Sequence, residues 1–170
     1  TSIEAIAISS FSFKTNDIDS RFVNLKYIIK DEWIFFSNYS SPKAMQFESH
    51  DQISALFFWP TINIQIRMKA KIKKTSNEFN QEYFFNRSKE KNALAISSNQ
   101  SNTIKSYTQV EENYDKSLKN DDLIKCPVYW GGYSFTPYYF EFWEGHELRL
   151  NKRDVYEKIG DSWGHHILEP

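Results

Sequence analysis

Cysteine is almost missing from this chain: Cys126 stands alone among 170 residues. A single thiol excludes an internal disulfide and fits a reducing compartment, so the expected localisation is cytoplasmic. No neighbouring feature equips Cys126 as a nucleophile, and a buried structural thiol is the expectation carried forward. Net charge is also nearly missing, at -1. That leaves no global electrostatic attraction to nucleic acid or to an anionic membrane. No apolar stretch approaches the ~20 residues of a membrane span. The opening Thr1-Ser2-Ile3-Glu4 has no basic leader followed by an apolar run, so no signal peptide is expected. It also lacks an initiator methionine, from which residues upstream are expected. Internal repeats and low-complexity blocks are absent too, and the Lys/Asn/Ile bias is diffuse.

Aromatic side chains, by contrast, are plentiful. Fourteen Phe, ten Tyr and five Trp make up 17% of the chain, which suits strands and a bulky interior. The length fits one domain over residues 1–170 with a substantial core.

The pattern along the chain opens as a meander. Ile3 to Phe13 alternates loosely as a first strand, with a turn at Asn16-Asp17-Ile18-Asp19. Ser20 to Ile29 and Trp33 to Asn38 read as the second and third strands. Ser41-Pro42-Lys43 then opens a helix, with Ser41 as N-cap and Pro42 as first helical residue. A lysine in a first turn opposes the helix dipole, so Lys43 reads equally as a ligand contact or as an ordinary exposed lysine. Ile53 to Trp59 is an apolar run ended by Pro60, expected as a buried strand. From Ile62 to Lys73 apolar residues alternate with Asn, Gln, Arg and Lys, the period of a half-buried strand. No aromatics interleave with its basic side chains, which argues for a solvated face over a nucleic-acid track.

Helices are expected next: one capped by Ser76 and running to about Arg87, and a short one capped by Ser88 through Ile96. A third, amphipathic helix is marked by Val110, Tyr114 and Leu118. Tyr83 and Arg87 lie four apart, on one helix face. Then comes the densest stretch, Trp130 to Arg153. Gly131 and Gly132 after a tryptophan call for a tight turn, a bulge or a close backbone approach. The aromatic run Tyr138 to Trp143 reaches a Glu144-Gly145 turn. A following strand would carry Arg149, Asn151 and Arg153 at period two, on one face suited to a flat anionic ligand. The total is about seven mostly antiparallel strands, a small barrel with helices packed outside.

Seven segments in order resemble one family. They are Arg21 to Lys26, Phe36 to Lys43, Gln65-Ile66-Arg67, Tyr83 to Arg87, Ser98 to Ser101, Trp130 to Tyr133 and Glu141 to Arg153. Together they are similar to the pyridoxine/pyridoxamine 5'-phosphate oxidase family. The resemblance implies a mainly β chain, an antiparallel split β-barrel of the FMN-binding type with flanking helices. It implies a homodimer with FMN at each subunit interface. It also implies oxidation of pyridoxamine or pyridoxine 5'-phosphate to pyridoxal 5'-phosphate by O2, with release of H2O2, and neither a metal nor a protein nucleophile.

Carried over by position, the implied FMN set is Arg21, Phe22, Val23, Asn24, Leu25, Lys26, Phe36, Ser37, Lys43, Gln65, Gln100, Ser101, Trp143 and Arg153. The implied substrate set is Lys26, Tyr83, Arg87 and Lys91 at the phosphate, with Arg149 and Asn151 over the pyridine ring as catalytic residues. Arg21 and Lys26 have opposite parity on one strand, so a bulge is needed for them to share a face. Four positions depart from the family pattern. Pro42 replaces an arginine, Lys91 a serine, Asn151 the histidine of an Arg-Leu-His block, and Ile167 a closing arginine. The family's N-terminal extension is not seen here. Asn151 keeps hydrogen bonding yet carries no charge near neutral pH. A binding homologue with little or no turnover is therefore the alternative to an active oxidase.

Overall fold

The computed structural model describes residues 5–170, so Ile3 and Glu4 of the expected first strand lie outside the described residues. Eight strands and four helices follow one another: β1 (Ala5–Ser12), β2 (Asp17–Ile29), β3 (Glu32–Asn38), α1 (Pro42–Ser49), β4 (Gln52–Trp59), β5 (Ile64–Lys74), α2 (Asn77–Asn86), α3 (Lys89–Ser97), α4 (Tyr107–Asn120), β6 (Trp130–Glu144), β7 (Lys152–Ile159) and β8 (Ser162–Ile167). The strand order is β3-β2-β1-β4-β5-β6-β7-β8, and β3 also pairs with β6. Six strands thus return on themselves while β7 and β8 extend the sheet, the split-barrel arrangement. No helix among the described residues is long and apolar enough to cross a membrane.

The strand periods come from the sequence. Along β5, Met68, Ala70 and Ile72 are buried while Arg67, Lys69, Lys71 and Lys73 face out, as alternation demands. β4 differs from expectation. Ile53, Ala55 and Phe57 are buried, yet Phe58 is 50% exposed. β4 lies between β1 and β5 in antiparallel register, and such a strand packs one face and leaves the other open. β8 was not anticipated. Ile159 pairs with Ser162, so Gly160-Asp161 is a two-residue hairpin turn, with Gly160 at φ +60. That glycine takes a left-handed position that most side chains resist.

Serine hydroxyls start three helices. Ser76, Ser88 and Ser106 accept from the backbone N–H of Phe79, Lys91 and Gln109 at 3.2, 3.4 and 3.2 Å, each satisfying an orphan donor of a first turn. Ser41 precedes α1 as expected but behaves differently. Its hydroxyl donates to the Asn38 carbonyl at 2.8 Å, and its own carbonyl receives Met45 N at 3.2 Å.

The chain divides into two compact units. The first comprises the chain up to Phe35, Gln46–Lys73 and Ser134–Pro170; the second comprises Phe36–Met45 and Lys74–Tyr133. In the first, Trp33 lies 6.0 Å from both Phe57 and Phe135, and Ile6, Ile8, Phe35 and Val155 are fully buried. In the second, Phe84, Ala93 and Tyr133 fill the interior beside Trp130.

Candidate functional site

In the second unit three expected residues converge from separate elements. Ser37 lies next to the end of β3, Lys43 lies in the first turn of α1, and Gln100 sits in the loop after α3. Lys43 Nζ donates to Gln100 Oε1 at 2.9 Å and to Ser37 Oγ at 3.1 Å, and Ser37 Oγ donates to Gln100 Oε1 at 3.1 Å. An ammonium, a hydroxyl and an amide are thus gathered where an anionic, hydrogen-bonding ligand would find both charge and direction. Ser101 follows at φ +71 and lines a cavity of about 290 Å³ with Leu94, Ile104, Val110 and Asn113.

Beside these residues in the chain lies an aromatic stack. Phe36 is parallel to Tyr83 at 3.7 Å and to Trp130 at 5.3 Å. The Arg87 guanidinium sits 5.0 Å over the Trp130 ring, a cation–π arrangement. Its Nη1 donates to the Lys91 carbonyl at 2.8 Å and to Asn92 Oδ1 at 3.2 Å. Tyr83, Arg87 and Lys91 are therefore neighbours, although the Arg87–Lys91 link runs through the Lys91 backbone. Burial lowers the Arg87 pKa from its ordinary value, with Tyr83 opposing. The group remains a cation at neutral pH.

Gly131 and Gly132 serve close approach and do not form a turn; both lie inside β6. A Cβ on Gly131 would overlap Tyr39 Oη and Asn80 Nδ2. Asn80 Oδ1 accepts Gly132 N at 2.8 Å, and Tyr39 Oη donates to the Gly132 carbonyl at 3.0 Å. Cys126 is half-buried rather than buried, and desolvation pushes its thiol up to about 11.

In the first unit Arg21 is held by residues that the sequence pattern did not single out. Its Nη1 donates to Ser10 Oγ at 2.6 Å, its Nη2 to Gln46 Oε1 at 2.9 Å, and Asp19 lies 3.7 Å away. Burial lowers the Arg21 pKa and Asp19 opposes the shift. A bulge does intervene: the β2–β3 register shifts between Leu25 and Tyr27, at Lys26. It offsets the opposite parity of Arg21 and Lys26. Of the intervening residues Val23 points into the core, while Phe22 is 75% exposed and Asn24 also faces out. Gln65 lies on β5 opposite Phe58.

Trp143 pairs with Arg153 across β6 and β7. Arg153 closes on Glu141, whose Oε1 accepts Arg153 Nε at 2.9 Å and Nη2 at 2.8 Å. Arg67 Nη1 and Tyr139 Oη reach the other carboxylate oxygen at 3.0 and 3.1 Å. The expected strand face of Arg149, Asn151 and Arg153 does not form. β7 begins at Lys152, so Arg149 and Asn151 lie in the preceding loop and only Arg153 is in a strand. The reason is local. Arg149 adopts φ +64, incompatible with a strand, and the Asn151 Oδ1 turns back to accept His146 N at 3.0 Å.

Arg21 and Arg153 are thus engaged by separate partner sets, and Ser10 and Gln46 carry no local signal. Gln46 lies 25 residues and Ser10 11 residues from Arg21, beyond any helix or strand period.

The closing sheet with its two-strand extension defines a split-barrel protein. Solved structures agree on that fold. PhzG from Burkholderia lata, in complex with tetrahydrophenazine-1-carboxylic acid, superposes with a TM-score of 0.91 at 24% identity over 98% of this chain and 82% of its own. A pyridoxamine 5'-phosphate oxidase-related, FMN binding protein from Nostoc punctiforme gives 0.81 at 12% identity over 98% and 88%. Residues 130–170 match the pyridoxine 5'-phosphate oxidase C-terminal dimerisation region. Pyridoxine/pyridoxamine 5'-phosphate oxidase 1 of Hydrogenovibrio crunogenus is 36% identical over 84% of this chain and 67% of its own. The enzyme of Leptospira biflexa is 35% identical over 99% and 81%. The chain belongs to the pyridoxine/pyridoxamine 5'-phosphate oxidase family.

Proposed function

We propose that this chain is an FMN-dependent oxidase of pyridoxamine and pyridoxine 5'-phosphate. Pyridoxamine 5'-phosphate, O2 and water would give pyridoxal 5'-phosphate, ammonia and H2O2; pyridoxine 5'-phosphate and O2 would give pyridoxal 5'-phosphate and H2O2. The observation that carries the reading is the convergence of Lys43, Ser37 and Gln100, with Lys43 Nζ 2.9 Å from Gln100 Oε1. Their donor chemistry fits FMN: an ammonium and a hydroxyl for its phosphate, an amide for its polar edge. When bound, FMN supplies the two-electron acceptor.

The chain's own residues then bind and orient. In this reading Arg21 through Lys26, Phe36, Gln65, Ser101, Trp143 and Arg153 complete the flavin set. Lys26, Tyr83, Arg87 and Lys91 receive the substrate phosphate, where three cations favour a dianion over a neutral ligand. Arg149 addresses the pyridine ring, with Asn151 beside it in the same loop. The matched dimerisation region supports a homodimer, and residues 1–170 act as one FMN-binding split-barrel domain in the cytoplasm.

The test supplies pyridoxamine 5'-phosphate under air and follows peroxide and pyridoxal 5'-phosphate. The purified protein should be yellow and should form both products. No product above a no-enzyme control, despite full flavin loading, overturns the oxidase. One observation favours a second reading, a binding homologue without turnover: the Asn151 oxygen is occupied by His146 N. The same assay separates the two.

A further inference from the structure

The loop between β6 and β7 carries Arg149 in a conformation that a non-glycine residue adopts only when its surroundings impose it. Its φ is +64, in the left-handed region that crowds Cβ against the following carbonyl. Four hydrogen bonds hold the loop, all within the first unit. Gly145 N donates to the Asn63 carbonyl at 3.0 Å, and Arg149 N to the His146 carbonyl at 2.9 Å. Leu148 N donates to His146 Nδ1 at 3.2 Å. The fourth comes from the side chain at the loop's far end, Asn151 Oδ1, which accepts His146 N at 3.0 Å. Gly145 is required at the other end, because a Cβ there would overlap the Asn63 side chain.

We propose that Asn151 is a positioning residue. Its amide oxygen latches the 145–151 loop by holding His146 N, and so fixes the backbone from which Arg149 projects. The position where the family pattern has a ring-facing histidine thus works here through Arg149. This inference rests on the proposed role of Arg149 toward the substrate's pyridine ring, which is why its test has two independent arms.

The chemistry of the latch makes a sharp distinction between variants. His146 N needs an acceptor, which both Asn and Asp offer and Ala does not. A pyridine contact through the Asn151 amide N–H would instead be lost in Asn151→Asp as fully as in Asn151→Ala. In the first arm, amide hydrogen exchange of His146 is measured by NMR in the flavin-loaded protein. Exchange should be about tenfold faster in Asn151→Ala and near wild type in Asn151→Asp, as expected when a protecting bond is lost or kept. Equal protection in all three proteins overturns the latch.

In the second arm, kcat/KM for pyridoxamine 5'-phosphate is measured in Asn151→Ala, Arg149→Ala and the double variant. Asn151→Ala should lose about tenfold, Asn151→Asp should recover most of it, and the double variant should be no worse than Arg149→Ala alone. Flavin content should be the same throughout. Additive losses, or equal loss in the Asp and Ala variants, overturn the positioning role. If the wild-type chain neither turns over nor binds pyridoxal 5'-phosphate, the proposed function fails and the role toward substrate falls with it. The His146 exchange pattern still decides the latch.

Discussion

Glu141 is 2% exposed and gathers Arg67, Arg153 and Tyr139 around one carboxylate. A charge so far from water is tolerable only because its oxygens are filled by guanidinium and hydroxyl donors. Arg153 is also tied to the chain end, since its Nη1 donates to the Glu169 carbonyl at 3.0 Å. The two arginines are 47% and 25% exposed, so solvent screens part of what their pairing contributes. Glu141→Gln should lower unfolding free energy by about 2 kcal/mol, below the usual range for breaking a fully buried pair. Urea titration followed by tryptophan fluorescence measures it, and a midpoint equal to wild type would contradict the account. The signal for this cluster was half visible in the sequence. Arg153 stood out by its spacing and by family resemblance, whereas its partner Glu141 faces it only through the pairing of β6 with β7.

At the scale of elements, β6 shows how one strand serves two tasks. Gly131 and Gly132, its second and third residues, lack side chains so that Tyr39 and Asn80 can press against the backbone; its later residues are aromatic and line the sheet. Asn80 is 3% exposed and spends its amide on Gly132 N and Tyr39 Oη. Gly131→Ala must push both side chains away and should cost about 1–3 kcal/mol, the range for overpacking. Thermal unfolding would register it as a drop in Tm, and an unchanged Tm would mean that the contact yields without cost. The starts of α2 and α3 were readable, since Ser76 and Ser88 each stand three residues before their N–H partner; Ser106 starts α4 in the same way without having stood out. The start of β7 was not. A period of two presumes an unbroken ladder, and that ladder begins only where Lys152 pairs with Glu144.

For the whole molecule the informative surface is apolar. Ile159, Trp163 and Ile167 are 68%, 45% and 73% exposed, all within residues 130–170, which match a dimerisation region. Leaving such side chains in water sacrifices hydrophobic free energy that a second copy would recover. Light scattering at about 10 µM should therefore return twice the mass of the chain, since patches of this kind mark protein interfaces. Trp163→Glu should shift the population toward monomer. A wild-type monomer at that concentration would remove the homodimer from the proposed function.

The sequence alone determined most of the strand and helix periods, the Ser76 and Ser88 caps and the family, because each depends on residues within a few positions or on motifs in order. The opposite parity of Arg21 and Lys26 also showed that only a bulge between them would bring the two to one face; its place at Lys26 came from the β2–β3 pairing. Only the tertiary structure decided which cation meets which acceptor. Lys43 and Gln100 are 57 residues apart, and loop closure over that distance leaves no trace in local composition. It likewise decided that Arg149 leaves the strand. Hydrogen bonds from Gly145 to Asn63 and from His146 to Asn151 outweigh the extended preference of the intervening residues.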